Sequence, residues 1–396
     1  MSDIRPAIAC LGAGRMGRGI AVAFAYAGHA VTMIDVKVGR SQGQFDRLEA
    51  EALDEVRKTL ASLARFGLLK DEDVTKIISR VRVVATSASA TALSEAGMVF
   101  EGVPEVVELK REVLGAASKS ARPDVIIAST TSTILVDDLS GAIDHPERFL
   151  NVHWLNPAYL IPLVEISPGK ATDPAIISRV KELLEGIGKV PVVCAATPGF
   201  IVPRIQTLAM NEAARMVEEG VASAEDIDKA IRYGFGFRYA VLGLLEFIDM
   251  GGGDILYYAS RYLEGALGSD RYRAPNVIEN NMRDGRIGLR TGAGFLDYAG
   301  MDVDAYRERR LAARLSAQQA QNLERWGYPY VMDEFRFHMT LTGRLEDARR
   351  EPVLALLKNR FERIGVSSLA IDSIALFRQT DAPSRFRIIG AWQLRE

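Results

Sequence analysis

The sequence predicts an α/β chain: a Rossmann-type, doubly wound parallel sheet over roughly residues 5–195, then an all-helical domain, then a small α+β C-terminal segment. Three observations carry this. Short apolar runs alternate with helical patterns through the first half of the chain, the signature of strands covered on both faces. A glycine cluster, Gly12-Ala13-Gly14-Arg15-Met16-Gly17, sits between the first such run and the first helical pattern. After Thr197-Pro198-Gly199 the texture changes, and long helical segments replace the strand-like runs.

Taken in order, residues 7–11 read as a buried strand, and a helical pattern from Met16 to about Ala27 is closed by Gly28. Residues 30–34 form the next strand, ending at Asp35, which completes a βαβ unit with an expected right-handed connection. Residues 45–80 are charged and helical in period. Further strands are expected at 81–85, 98–101, 125–129, 149–154 and 163–167. The helical part includes a segment from Ile205 to Glu219 and a cap at Ser223 ahead of Glu225 and Asp226. A charged helix over 303–325 leads to a stretch in which strands at 335–341 and 373–377 flank a helix from Arg349 to Ile364. The expected domains are therefore 1–196, 197–302, a linker helix at 303–325, and a last segment at 326–396. Arginine replaces lysine there, since residues 301–396 hold only Lys358.

With 396 residues, 48% of them hydrophobic, and a net charge of −2, the chain has material for two or three domains and a sizeable core. Near-neutral charge gives no reason to expect nucleic acid or an anionic membrane as a partner. No apolar run approaches the roughly 20 residues of a membrane span, and Met1 leads into a strand without a signal-peptide pattern. Cys10 and Cys194 both lie in apolar, strand-like stretches and read as buried core thiols of a cytoplasmic protein.

The glycine cluster fits G-x-G-x-x-G between strand and helix. Gly12 permits the tight turn, Gly14 lets a pyrophosphate approach the backbone, and Gly17 allows close helix–sheet packing, with phosphate at the helix N-terminus beside Arg15 and Met16. Asp35 follows at the spacing of the acid that takes the ribose hydroxyls. Its charge would repel a 2′-phosphate, with no compensating arginine directly beside it, although Lys37 lies close, and a preference for NADP would require Lys37 or Arg40 to reach the phosphate. NAD is the expected cofactor.

The stretch from Asn151 to Glu165 carries the chemistry: Asn151-Val152-His153-Trp154-Leu155-Asn156-Pro157 and then Leu163-Val164-Glu165. A histidine ending one strand and a glutamate on the next can meet at the carboxyl edge of a parallel sheet. Neutral imidazole suits removal of a hydroxyl proton at pH 7, and a paired carboxylate orients the ring and stabilises its cation. The run resembles the signature of the 3-hydroxyacyl-CoA dehydrogenase family, H-x-x-N-P followed by L-V-E, including the spacing of His153 to Glu165. Ser129 to Thr133 resembles that family's serine-rich loop, and Glu101-Gly102-Val103-Pro104-Glu105 its E-x-x-x-E strand end beside the nicotinamide. Thr197-Pro198-Gly199-Phe200 and the glycine-rich stretch from Gly285 to Tyr298 resemble its two downstream motifs. The resemblance covers about residues 5–300.

It implies oxidation of a 3-hydroxy substrate to the 3-keto product, as in fatty-acid metabolism, by a homodimer joined through the helical domain. It makes His153 the general base, Glu165 its orienting partner, Ser132 a donor to the substrate oxygen and Asn156 a holder of the substrate carbonyl or the histidine loop. It places Glu105 at the cofactor. One departure stands out: the family's downstream motif carries an asparagine where this chain has Pro203, and proline offers neither a side-chain amide nor a backbone N–H. Residues 156–165 and 236–246 are more similar to the branch containing carnitine and gulonate dehydrogenases and lambda-crystallin, which takes free hydroxy acids. Arg238 is then a candidate carboxylate anchor, against the alternative of an ordinary salt bridge in the helical domain.

Residues 327–345 resemble instead the second half of a family linked to phosphonate operons within the two-histidine phosphoesterases. Those enzymes use two H-x-[TS] motifs, and this chain has one, His338-Met339-Thr340. The expectation is an appendage without phosphodiesterase activity. Three readings of the whole chain remain: a dehydrogenase acting on a hydroxy acid or acyl-CoA, a catalytically weak NAD-binding structural protein, and a bifunctional enzyme with a cyclic phosphodiesterase.

Overall fold

The computed structural model describes residues 5–306, 373–378 and 387–393, which fall in two compact units, Met1–Ala230 and Ile231–Glu396. In the first, eight strands form one sheet: β1 (Ile8–Leu11), β2 (Val31–Ile34), β3 (Val81–Val84), β4 (Met98–Glu101), β5 (Ile126–Ser129), β6 (Phe149–Trp154), β7 (Leu163–Pro168) and β8 (Val190–Val193). Their spatial order is β3-β2-β1-β4-β5-β6-β7-β8, so the order reverses between β1 and β4. Ligands of such sheets bind beyond the strand ends at that reversal. Every residue of β1, β2, β4 and β5 is buried, as strands covered on both faces must be.

The helices are α1 (Arg15–Tyr26), α2 (Gln42–Arg65), α3 (Asp71–Ile78), α4 (Ser89–Glu95), α5 (Val107–Ser120), α6 (Val136–Ser140) and α7 (Pro174–Gly186). On one face α1, α2 and α7 bury Phe24, Leu60 and Val180 against the sheet. On the other, α4, α5 and α6 bury Leu93, Leu114 and Leu139. Two apolar layers enclosing one sheet make the doubly wound arrangement. The long charged pattern before β3 divides into α2 and α3 at Gly67, whose φ of +73° suits a residue without a Cβ. The unit ends with α8 (Val202–Glu218) and α9 (Ala224–Ala230), and the Ser223 hydroxyl accepts from the Asp226 N–H at 3.1 Å.

Two expectations need correction. The sheet is not parallel throughout, because β7 runs antiparallel to β6. The connection between them, residues 155–162, is shorter than the dozen or so residues that a parallel crossover needs. Cys194 is only half-buried, because it lies just past β8, the last strand of the sheet, whereas Cys10 on central β1 is buried and its thiol is pushed up to about 12 by that burial.

The second unit holds α10 (Gly236–Tyr239), α11 (Leu244–Gly251), α12 (Gly253–Leu267) and α13 (Asn276–Arg283). The glycine-rich stretch after α13 wraps the buried Asp249, whose carboxylate accepts from the Phe295 N–H (2.9 Å), the Leu296 N–H (2.8 Å) and the Tyr298 hydroxyl (3.1 Å). A Cβ at Gly294 would stand 2.1 Å from Asp249 Oδ1, which is why that position is glycine. Strands β9 (Ser373–Arg378) and β10 (Arg387–Gln393) pair antiparallel. The strand expected at 335–341, the helix at 349–364, the linker helix beyond Tyr306 and His338 all lie outside the described residues. Among the described residues no helix is long and apolar enough to cross a membrane.

Candidate active site

The cofactor end is built by the β1–α1 turn. Gly12 takes φ +104°, and a Cβ at Gly17 would stand 2.1 Å from the Gly12 carbonyl oxygen, so the turn closes only with glycine at both places. A Cβ at Gly14 would meet nothing within 4 Å, leaving open space beside the first turn of α1. That helix starts without a side-chain cap, so the N–H groups at Arg15, Met16 and Gly17 face the opening. An uncapped helix end, a bare backbone and an adjoining acid together fit a dinucleotide pyrophosphate and ribose. Asp35, buried at the end of β2, borders a cleft of about 550 Å³ lined by Leu11, Ile34, Val36, Leu93 and Val113, an apolar surface of the kind that takes an adenine ring. One expectation fails here. An arginine does stand beside Asp35: Arg40 Nε donates to Asp35 Oδ2 at 2.6 Å. The turn at Gly39, with φ +78°, carries the chain back far enough for that contact.

The catalytic end lies on β6 and β7. His153 and Glu165 are directly paired across the antiparallel strands, and His153 Nδ1 lies 2.7 Å from Glu165 Oε2. The reversed direction of β7 puts its first residues at the carboxyl edge of the sheet, where β6 ends. The other oxygen of Glu165 accepts from the backbone N–H groups of Ile201 (2.9 Å) and Val202 (2.8 Å), at the start of α8. Burial alone would raise this carboxyl. The hydrogen bonds from His153, Val202 and Ile201 outweigh it and hold the group below the usual carboxylate range. Phe200, a non-glycine residue at φ +45°, lays its ring 5.5 Å from the imidazole. The pair is therefore fixed on both sides.

His153, Ser132, Asn156 and Glu105 line one cleft of about 1120 Å³, together with Met16, Lys110 and Pro203. Glu105 Oε1 accepts from the N–H of Ser132 (2.9 Å) and the hydroxyl and N–H of Thr133 (3.1 and 3.2 Å), as well as from the Thr131 hydroxyl. It thus shapes the loop that presents Ser132. Burial would raise its carboxyl, but the Thr131 hydroxyl, Lys110 and the Ser132 N–H bring it below the usual range. Arg238 lies in the second unit, with its guanidinium 5.2 Å from the Phe247 ring centre. Among the described residues no carboxylate pairs with it.

Two lysines escape a reading by motif. Lys110 is buried on α5, where its Nζ donates to Glu101 Oε1 (2.8 Å) and to the Val103 carbonyl (3.1 Å) and lies 3.3 Å from Glu105 Oε2. Its position on the apolar stripe with Leu114 and Ala117 was the available signal. Lys189 is buried before β8 and donates to the carbonyls of Ala158 (2.7 Å) and Ile161 (2.8 Å), bracing the loop that carries Asn156. Burial lowers its ammonium. No local pattern marks it.

A doubly wound sheet with a phosphate-binding glycine turn at its reversal point defines a dinucleotide-binding protein. Residues 7–197 match the model of the 3-hydroxyacyl-CoA dehydrogenase NAD-binding domain, and residues 199–298 that of the 3-hydroxyacyl-CoA dehydrogenase C-terminal domain. The chain belongs to the 3-hydroxyacyl-CoA dehydrogenase family, whose cofactor is NAD. It is 32% identical over 310 residues to 5-formyl-3-hydroxy-2-methylpyridine 4-carboxylate 5-dehydrogenase of Mesorhizobium japonicum, covering 77% of this chain and 96% of that one. It is 34% identical to lambda-crystallin of Oryctolagus cuniculus over 64% of this chain and 77% of the relative. The solved 3-hydroxyacyl-CoA dehydrogenase of Archaeoglobus fulgidus superposes with a TM-score of 0.61 at 31% identity, covering 81% of this chain and 99% of that structure. Residues 298–387 match a separate family, the protein of unknown function DUF1045.

Proposed function

We propose that the chain oxidises a 3-hydroxy substrate to its 3-keto product, with His153 as general base and Glu165 as its positioning partner. The substrate is a free 3-hydroxy acid or a 3-hydroxyacyl-CoA such as 3-hydroxybutyryl-CoA. Bound NAD supplies the acceptor for the hydride that leaves C3. His153 takes the hydroxyl proton on the ring nitrogen opposite Glu165, and the carboxylate stabilises the imidazolium that forms. Ser132 donates to the substrate oxygen, and Asn156 holds the neighbouring carbonyl. The observation that carries this reading is the 2.7 Å contact between His153 and a Glu165 whose other oxygen is tied to α8.

The free acid is favoured by two things. Pro203 lines the cleft where a side-chain amide would otherwise be available, and one relative is named for a carboxylate substrate. Arg238 is the proposed anchor for that carboxylate. The working form is a homodimer. The support for this is the family resemblance, which implies a homodimer joined through the helical domain. The deciding experiment measures NAD reduction against hydroxyacyl-CoA esters, carnitine and sugar acids, with His153→Gln as control. Turnover on none of them would favour the structural, lambda-crystallin-like reading.

A further inference from the structure

We propose that Arg40 is a specificity-determining residue of the cofactor site, and that through it the site also takes the 2′-phosphorylated dinucleotide NADP, more weakly than NAD. The inference rests on the dinucleotide site alone and is independent of the substrate. An acid at the end of β2 normally excludes NADP because an unpaired carboxylate faces the 2′-phosphate. Here the carboxylate is already paired. Arg40 Nε donates to Asp35 Oδ2 at 2.6 Å, its Nη2 approaches Oδ1 at 3.4 Å, and the Lys37 N–H donates to Oδ1 at 3.2 Å.

Hydrogen-bond capacity leaves room for both nucleotides. A carboxylate offers about four acceptor positions, and these three contacts leave Asp35 one, on Oδ2, for a ribose hydroxyl of NAD with Arg40 in place. A guanidinium has five N–H groups, and the ion pair with Asp35 leaves several pointing elsewhere. Arg40 is 24% exposed at its side chain, against 7% for Asp35, so the free edge of the fork reaches the solvent side of the pair. A planar fork of this kind matches a phosphate. The exposed Lys37 adds a second cation within the same turn.

The position of Arg40 is built rather than incidental. Gly39, at φ +78°, turns the chain, and Ser41, directly after Arg40, is the N-cap of α2, its N–H donating to Gln44 Oε1 at 3.0 Å. The other side of the turn is held by Thr86, whose hydroxyl donates to the Asp35 carbonyl at 2.7 Å. Asp35 and Arg40 are therefore presented together by a braced turn.

The test is equilibrium binding, by calorimetry, of NADH and NADPH to the wild type and to Arg40→Gln. The wild type should bind NADPH within about a hundred-fold of NADH. Arg40→Gln should weaken NADPH by a further ten- to hundred-fold, roughly the range of charge-assisted phosphate contacts, and should weaken it more than NADH. Equal losses for both nucleotides, no loss for NADPH, or a wild-type gap beyond a hundred-fold overturns the proposal. If the variant does not fold, wild-type binding of adenosine 2′,5′-bisphosphate decides. Affinity within about a hundred-fold of AMP supports acceptance of the 2′-phosphate by this site, and a larger gap overturns it.

Discussion

His153 and Glu165 face each other as cross-strand partners on β6 and β7, so the twelve-residue interval between them is the geometry of an antiparallel pair. Each residue's direction is set by the strand that carries it. The acid is then locked from behind by two N–H groups at the start of α8, where the positive end of a 17-residue helix favours the ionised form.

From this arrangement His153→Gln and Glu165→Gln should each remove most of the turnover, by about 10² to 10⁴, the usual worth of a general base. NADH binding should stay near wild type, because the glycine turn is on β1 and α1. Steady-state kinetics on the best substrate, paired with NADH titration, check this. Near-wild-type turnover in either variant would refute the assignment.

Glu165 also makes stability depend on pH. Its folded carboxyl lies below the ordinary value of 4.5, so its contribution is fully present above that value and is lost as the pH falls through the lowered one. Glutamine does not titrate. The stability gap between wild type and Glu165→Gln should therefore shrink as the pH falls below 4.5. Urea melts at successive pH values measure it, and a gap that widens on acidification contradicts the hydrogen-bonding account.

Gly14→Ala and Gly17→Ala should differ in kind. The Cβ at Gly17 meets the Gly12 carbonyl oxygen at 2.1 Å, so this variant should lose both thermal stability and NADH affinity. The Cβ at Gly14 meets nothing within 4 Å, so that variant should keep its Tm while NADH binding weakens. Parallel Tm losses in both would mean that Gly14 serves the fold rather than the pyrophosphate.

Lys189→Met should cost about 1–3 kcal/mol of stability, the penalty for leaving buried carbonyls without donors, here those of Ala158 and Ile161. It should also raise KM more than it lowers kcat, since the loop it braces carries Asn156. An unchanged denaturation midpoint with unchanged KM would show that the loop holds without it.

Truncation after Arg314 should leave NADH binding intact, because every proposed cofactor and catalytic residue precedes it. Hydrolysis of 2′,3′-cyclic nucleotides by the full chain should be undetectable. Activity that disappears in His338→Ala would show that two tails complete a two-histidine site.

The order of strands and helices, the glycine turn and the candidate residues His153, Glu165 and Asp35 were legible in the sequence because each rests on local periodicity or short spacing, whereas Ser132 became a candidate only through the family resemblance. Hydrophobic period distinguishes buried strand from helix, and glycine at a strand–helix junction has few other uses. Tertiary structure alone decided what those residues touch. The second oxygen of Glu165 is held 36 and 37 residues downstream, at Ile201 and Val202, and Lys189 reaches back to Ala158 and Ile161. Even the nearby contact of Arg40 with Asp35 depends on a turn anchored by Thr86, 51 residues away. Periodicity records which face of an element is apolar. It does not record which distant backbone N–H, carbonyl or cation will satisfy a buried polar group, because that partner exists only once the chain has packed.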